Sequence, residues 1–268
     1  MAKKIIAAVL ILLLLGGAFF ASYKLSDKYW DKLAPYLNGA VPETTTEAFT
    51  LPAVATPTEV TTAAPTTTEP VTMPSLSAET VEMPPDETWK LILLNRNYKI
   101  SDSYVPELSP VLEGSSIQVD ARMAEMFRKM YEAAQEDGIE LNPVSGYVST
   151  EVQASLFDQK VEELVAQGED KDAAVFIAAE TVLPAGSSED NIGISVSIGM
   201  QVDSFSQSDA YRWLRENAWK YGFIERYTAE KKAFTQVTAR PWYWRYVGTE
   251  AAELMKESGA CLEEFLQR

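Results

Sequence analysis

Two short polar segments carry the side chains that could do hydrolytic chemistry. The first holds the adjacent carboxylates of Glu189 and Asp190, and the second runs from Arg240 to Tyr243. The chain has no histidine among its 268 residues, so a Ser-His-Asp or Cys-His triad is excluded. An enzyme built on these segments would therefore need one of the two acidic side chains as its general base.

Three segments stand out by their motifs and their order. They are SGYVSTEVQASLF (145–157), PAGSSEDNIGISVSI (184–198), and YGFIERY followed by RPWYWRYVG (221–248). Together they resemble the VanY-type D-alanyl-D-alanine carboxypeptidase family, which trims the terminal D-alanine from peptidoglycan stem peptides. With its flanks the resemblance covers about residues 88–268. It implies an α+β fold in which a small antiparallel sheet packs with helices, as in D,D-carboxypeptidase and hedgehog-like domains.

The resemblance also implies a set of functional positions. Active members bind zinc through a His and an Asp in Ser-Glu-His-x-x-Gly-x-x-x-Asp and a second His in Glu-Pro-Trp-His. The corresponding ligand positions here are Asp190, Ser197 and Tyr243. In active members the Glu of the second motif is the general base, and the corresponding residue here is Arg240. The Arg of Ser-Gly-Tyr-Arg-Ser binds substrate in those members, and the corresponding residue here is Val148. All five functional positions therefore differ from the family pattern.

The chemistry of the substituted residues argues against a zinc enzyme. A catalytic zinc site needs three good protein ligands, whereas the hydroxyls of Ser197 and Tyr243 are protonated and weak. Arg240 cannot accept a proton and would repel a dication. We therefore expect no metal cofactor, although Asp190 with hydroxyls could recruit calcium if about six oxygens were available. The opposite charges of Asp190 and Arg240 predict instead an ion pair in place of the metal.

Other positions keep the family's residue types. They predict either a groove that still binds a peptide or glycan without cutting it, or a purely structural scaffold of turns, core aromatics and ion pairs. The predicted binding residues are Tyr147, Gln153, Glu189, Trp242 and Arg245.

The N-terminal part predicts a membrane-tethered organisation. Residues 1–4 form a lysine-bearing cytoplasmic tail, and the apolar run at 5–23 is long enough to span a bilayer core of about 30 Å. It is expected to be an uncleaved signal anchor, with a cleaved signal peptide as the alternative. A juxtamembrane segment (24–38) and a Thr/Pro-rich disordered linker (39–87) follow. The domain at 88–268 would then lie outside a single-pass cell membrane protein.

Hydrophobic periodicity predicts the elements of this domain. An apolar spacing of three to four residues indicates helices, and strict alternation indicates strands. The predicted elements are a helix from an N-cap at Asp120 to Gly138, helices near 150–166, from Lys171 and over 209–220, a strand over 192–200 with Ile194, Val196, Ile198 and Met200 on one face, strands near Phe223, 234–237 and 242–247, and a closing helix over 249–266.

Composition narrows the possible partners. The net charge of −16 disfavours nucleic acid, and the single cysteine, Cys261, allows no intramolecular disulfide. The leading hypothesis is a catalytically inactive, membrane-anchored module that binds a peptidoglycan stem peptide or an envelope protein. The alternatives are a divergent active peptidase of stem peptides and a structural envelope protein with no ligand in the groove.

Overall fold

A computed structural model describes residues 76–267 of the chain. The N-terminal predictions for residues 1–4, 5–23 and 24–38, and most of the linker at 39–87, lie outside the described residues. Within 76–267, no helix is both long and apolar enough to cross a bilayer. The carboxypeptidase-like domain predicted at 88–268 falls almost entirely inside the described part.

The described chain alternates short strands with helices. The strands are β1 (Glu79–Val81), β2 (Tyr98–Ile100), β3 (Leu108–Pro110), β4 (Gln118–Asp120), β5 (Pro143–Ser145), β6 (Ser195–Ile198), β7 (Phe223–Glu225) and β8 (Tyr243–Tyr246). The helices are α1 (Ala121–Glu136), α2 (Thr150–Ala166), α3 (Lys171–Ala178), α4 (Asp209–Asn217), α5 (Lys232–Thr235), α6 (Thr249–Ser258) and α7 (Leu262–Phe265). Short 3-10 helices occupy Glu87–Leu91, Glu189–Ile192, Asp203–Gln207, Ala218–Tyr221 and Ala229–Lys231.

A four-stranded sheet forms the centre of the domain. Its strand order is β5-β6-β8-β7, and every neighbouring pair is antiparallel. Two further two-stranded sheets lie outside it, a parallel pair of β1 with β2 and an antiparallel pair of β3 with β4. The prediction of an α+β fold with a small antiparallel sheet is confirmed.

Helix α1 shows why the helix predicted after Asp120 forms. The Asp120 side chain accepts a hydrogen bond from the backbone N–H of Arg122 and caps the helix. Met123, Phe127 and Met130 follow at helical spacing and are fully buried in the main core. Beyond α1, the predicted helices at 150–166 and from Lys171 also form, and the one at 209–220 divides into α4 and a 3-10 turn.

Strand β6 separates the core from the candidate site. Val196 and Ile198 pack into the main core, while Ser195 and Ser197 share the opposite face, as the alternation predicted. All four side chains are buried. The predicted strand over 192–200 is too long, because the strand ends at Ile198, and Met200, which was predicted to share the face of Val196 and Ile198, is 72% exposed.

Two other element predictions are corrected by the structure. Residues 234–237 do not form a strand, because Lys232–Thr235 is helical and the backbone N–H of Gln236 bonds to the carbonyl of Lys232. The closing helix is not continuous either. Gly259 adopts a left-handed conformation with φ of 67° and divides it into α6 and α7.

Candidate functional site

The site is built around Asp190, which lies in the 3-10 helix that precedes β6. Its Oδ1 accepts a hydrogen bond from the Ser195 hydroxyl at 2.5 Å and another from the Tyr243 hydroxyl at 2.8 Å. Burial raises the pKa of Asp190, while the two hydroxyls and the charge of Arg240 oppose that rise. Two hydroxyl donors therefore stabilise a partly buried carboxylate.

The sheet brings two further predicted positions beside Asp190. Tyr243 in β8 lies directly opposite Ser197 in β6 in the antiparallel register, so their side chains share the face that carries the site. Tyr243 is nearly fully buried, and burial, followed by the charge of Asp190, raises its pKa well above its ordinary value. Tyr243 therefore remains a neutral hydroxyl that donates to Asp190 at neutral pH.

Val148 contacts the same loop through its backbone. Its N–H donates to the carbonyl of Asp190 at 3.0 Å, and its carbonyl accepts from Nδ2 of Asn191 at 2.8 Å. These two bonds place the position next to Asp190, although 42 residues separate them along the chain. The side chain at this position, that of Val148, is apolar.

Arg240 does not form the predicted ion pair with Asp190. Its Nη2 donates to the backbone carbonyl of Thr181 at 2.5 Å, and its guanidinium lies 5.2 Å and 5.8 Å from the ring centroids of Tyr227 and Tyr243. No N–O contact within 4.0 Å joins Arg240 to any carboxylate in residues 76–267. The two side chains make no direct contact because Asp190 is bonded to the hydroxyls of Ser195 and Tyr243, while Arg240 is bonded to the carbonyl of Thr181. The charge of Arg240 still acts on Asp190 through space.

Beneath the site lies a buried network of four charged side chains. Arg226 donates from Nε to Glu189 at 2.8 Å and binds both carboxylate oxygens of Glu263 at 2.8 and 2.7 Å. Arg245 lies 3.1 Å from Glu189 and donates to the backbone carbonyls of Lys90 and Ile92. Burial alone would lower the pKa of Arg226, but the carboxylates of Glu189 and Glu263 hold it well above its ordinary value. The network links the loop of the site to the sheet and to α7.

The arrangement of sheet, loop and helices is matched by known proteins. The family model described as D-alanyl-D-alanine carboxypeptidase, VanY, matches residues 116–249. A D-alanyl-D-alanine carboxypeptidase of Enterococcus faecalis (strain ATCC 700802 / V583) is 36% identical over 189 residues, which are 70% of this chain and 70% of that protein. The chain belongs to the VanY family of D-alanyl-D-alanine carboxypeptidases.

Solved structures agree with this assignment. A mutant of the vancomycin resistance D,D-pentapeptidase VanY in complex with Zn(II) is 38% identical, with a TM-score of 0.59 over 66% of this chain and 99% of that one. VanYB in complex with D-alanine-D-alanine is 38% identical, with a TM-score of 0.58 over 67% and 98%. The LD-carboxypeptidase LdcB is 28% identical, with a TM-score of 0.60 over 71% and 90%.

The residues at the positions that the family resemblance assigns to zinc do not fit the metal. Asp190 is the one strong ligand there, and its Oδ1 is already bonded to two hydroxyls. Ser197 and Tyr243 offer neutral oxygens, which are poor zinc ligands. No group of three or more His, Cys, Asp or Glu side chains that could hold a metal occurs within residues 76–267. These oxygen atoms are suited to a hydrogen-bonded cluster rather than to a zinc centre.

Three of the five predicted binding residues are buried. Glu189 and Arg245 belong to the charged network and have no exposed surface, and Gln153 donates to the carbonyl of Leu183 at 2.6 Å. Tyr147 and Trp242 are partly exposed and can line a groove. Tyr147 and Trp242 can therefore contact solvent or a ligand. Glu189, Arg245 and Gln153 contribute to the folded structure instead.

Sequence reasoning missed two contributors to the site. Ser195 bonds to Asp190, and its shared strand face with Ser197 was a signal that could have identified it. Thr181 supplies the carbonyl that binds Arg240. No residue type is required for a backbone acceptor, so the sequence carried no signal for Thr181.

Proposed function

We propose that this protein is a catalytically inactive member of the VanY family that binds peptidoglycan stem peptides at the cell envelope. Its N-terminal segment at 5–23 would anchor it in the membrane, with the folded domain outside the cell. Binding without cleavage would make it a sensor or regulatory module for the state of the stem peptides.

The hydrogen bonds from Ser195 and Tyr243 to Asp190 carry this proposal. They use the carboxylate and a neutral phenol where an active member would present two imidazoles to zinc. Arg240, at the position of the general base, is permanently protonated and cannot take a proton from water. The family mechanism thus lacks both its metal ligands and its base.

The retained surroundings support a binding role. Tyr147 and Trp242 remain partly exposed, and the buried ion pairs of Arg226 and Arg245 with Glu189 hold the residue next to Asp190 in place. VanYB binds D-alanine-D-alanine in its solved complex, and the LdcB structure concerns peptidoglycan recognition. A stem peptide is therefore the ligand class that the family context favours.

Turnover and binding can be measured on the same preparation. The full-length chain is incubated with a stem pentapeptide and zinc while released D-alanine is quantified, and binding of the peptide is followed by calorimetry. We expect saturable binding and no D-alanine above the buffer control. Release of D-alanine that disappears in Asp190→Ala would instead establish a divergent peptidase, and the absence of both signals would favour a structural envelope protein.

A further inference from the structure

Arg240 is a fixed guanidinium with unused donors. It is partly exposed and uses one side-chain N–H to bond the carbonyl of Thr181. Its position over the rings of Tyr227 and Tyr243 restricts its orientation. A guanidinium carries five N–H donors, so most of its donors remain available to a ligand.

The neighbouring acidic side chains do not neutralise Arg240 by direct contact. Asp190 accepts its hydrogen bonds from Ser195 and Tyr243. Glu189 is fully buried and paired with Arg226. Arg240 is therefore a partly exposed cation that lacks a carboxylate partner within 4.0 Å in the described part of the chain.

We infer that Arg240 binds the C-terminal carboxylate of a stem peptide that has already lost its last D-alanine. This inference rests on the proposed function and specifies the ligand of the same site. A general base must reach the water that attacks the scissile carbonyl, so the position of Arg240 lies beside the carbonyl that an active relative would cleave. Cleavage of that bond turns the carbonyl into a carboxylate, which a guanidinium at this position complements.

The change at Val148 points in the same direction. The arginine of active members at this position is replaced by an apolar side chain, which removes a charge partner for the carboxylate of an uncut peptide. The positive charge has thus moved from position 148 to position 240, toward the bond that would be cut. A carboxypeptidase reaction must therefore supply the ligand, and this protein would recognise its product.

A single carboxylate suits the site better than a dianion. A planar carboxylate can accept two parallel N–H bonds from one guanidinium. The negative charge of Asp190 acts on Arg240 through space and disfavours a doubly charged phosphate beside it. The ligand class is therefore a peptide with one terminal carboxylate.

The test compares three peptides on the full-length chain by calorimetry. They are a stem tetrapeptide ending in one D-alanine, its C-terminal carboxamide, and the pentapeptide ending in D-alanyl-D-alanine. We expect the tetrapeptide to bind about tenfold or more tightly than either of the others, because only its carboxylate reaches the guanidinium. The carboxamide requires no change to the protein, so folding defects cannot explain its loss.

Variants then assign the effect to Arg240. Arg240→Gln should remove the preference for the tetrapeptide, and Arg240→Lys should retain part of it through the charge alone. The matched control is Arg212→Gln, because Arg212 is exposed and pairs with the exposed Asp209. This control should leave all three dissociation constants unchanged.

The possible outcomes separate this inference from the proposed function. Equal binding of the tetrapeptide and its carboxamide, or an unchanged preference in Arg240→Gln, would overturn the role of Arg240 while leaving an inactive binding protein. Release of D-alanine from the pentapeptide would overturn catalytic inactivity alone. Failure of all three peptides to bind would overturn both.

Discussion

The Tyr243 hydroxyl lies 2.8 Å from Oδ1 of Asp190, and these are the two residues at the positions that the family resemblance assigns to zinc-binding histidines. The hydrogen bond joins the two side chains directly. Ser195 adds a second donor to the same oxygen. The loop before β6 is therefore joined by hydrogen bonds to both β6 and β8.

Removal of the Tyr243 hydroxyl should destabilise this connection. Tyr243→Phe deletes one of two donors to a partly buried carboxylate, and we expect a loss of about 1–3 kcal/mol in the free energy of unfolding. Urea denaturation measures it. Tyr221→Phe is the control, because Tyr221 stacks on Trp213 and its change should stay within about 0.5 kcal/mol. Equal losses in both variants would show that the bond to Asp190 contributes nothing.

Much of the site could be predicted because its residues lie within recognisable motifs. The family resemblance implied that Asp190, Ser197 and Tyr243 converge. In the structure Tyr243 lies opposite Ser197 in the register of β6 and β8 and bonds to Asp190. The capping residue and buried stripe of α1 were likewise local signals. The cap and the buried stripe can be recognised within a few residues of sequence, and the positions of the site can be recognised from the family resemblance.

The orientation of Arg240 could not be predicted from sequence. Its side chain binds the carbonyl of Thr181, which lies 59 residues away, and backbone acceptors leave no signature in residue type. The partnership of Arg226 with Glu263 spans 37 residues and depends on where α7 returns to the sheet. Tertiary placement decided both contacts, so opposite charge alone did not identify the carbonyl to which Arg240 bonds.

The pH dependence of stability should report the environment of Asp190. Burial raises its pKa above the ordinary 3.8. Such an acid lowers folded stability at pH values above its folded pKa, and this cost disappears as the pH falls through that pKa. The unfolding free energy of Asp190→Asn relative to the parent should therefore be largest near neutral pH and decline toward pH 3.8. Urea denaturation across this range measures the difference, and a difference that grows toward low pH would indicate a lowered pKa.

The buried charged network should be sensitive to loss of one partner. Arg226→Gln leaves Glu189 and Glu263 buried without their main cation, and we expect a loss of about 3–5 kcal/mol in the free energy of unfolding. Arg212→Gln removes an exposed ion pair with Asp209 and should cost at most about 1 kcal/mol. Chemical denaturation of both variants measures the two losses in the free energy of unfolding. A similarly small loss in Arg226→Gln and Arg212→Gln would contradict the prediction.

The turn before β6 should tolerate no side chain at Gly193. Its φ is 70°, and an added Cβ would lie 2.8 Å from the backbone nitrogen of Asp120. Gly114 has a similar φ of 76° but nothing within 4 Å. Both Gly→Ala variants impose left-handed strain, and we expect Gly193→Ala to lose about 1–3 kcal/mol more because of the clash. Thermal and urea unfolding should separate them, and equal losses would mean that the backbone moves freely.

The zinc content of the full-length protein, measured after incubation with zinc and removal of free metal, tests the central claim most directly. A variant carrying Asp190→His, Ser197→Asp, Arg240→Glu and Tyr243→His serves as the positive control, because Tyr243 lies opposite Ser197 in the sheet and bonds to Asp190. We predict that the native chain retains far less than stoichiometric zinc and that the fourfold variant retains more. Stoichiometric zinc on the native chain, lost in Asp190→Ala, would contradict the account.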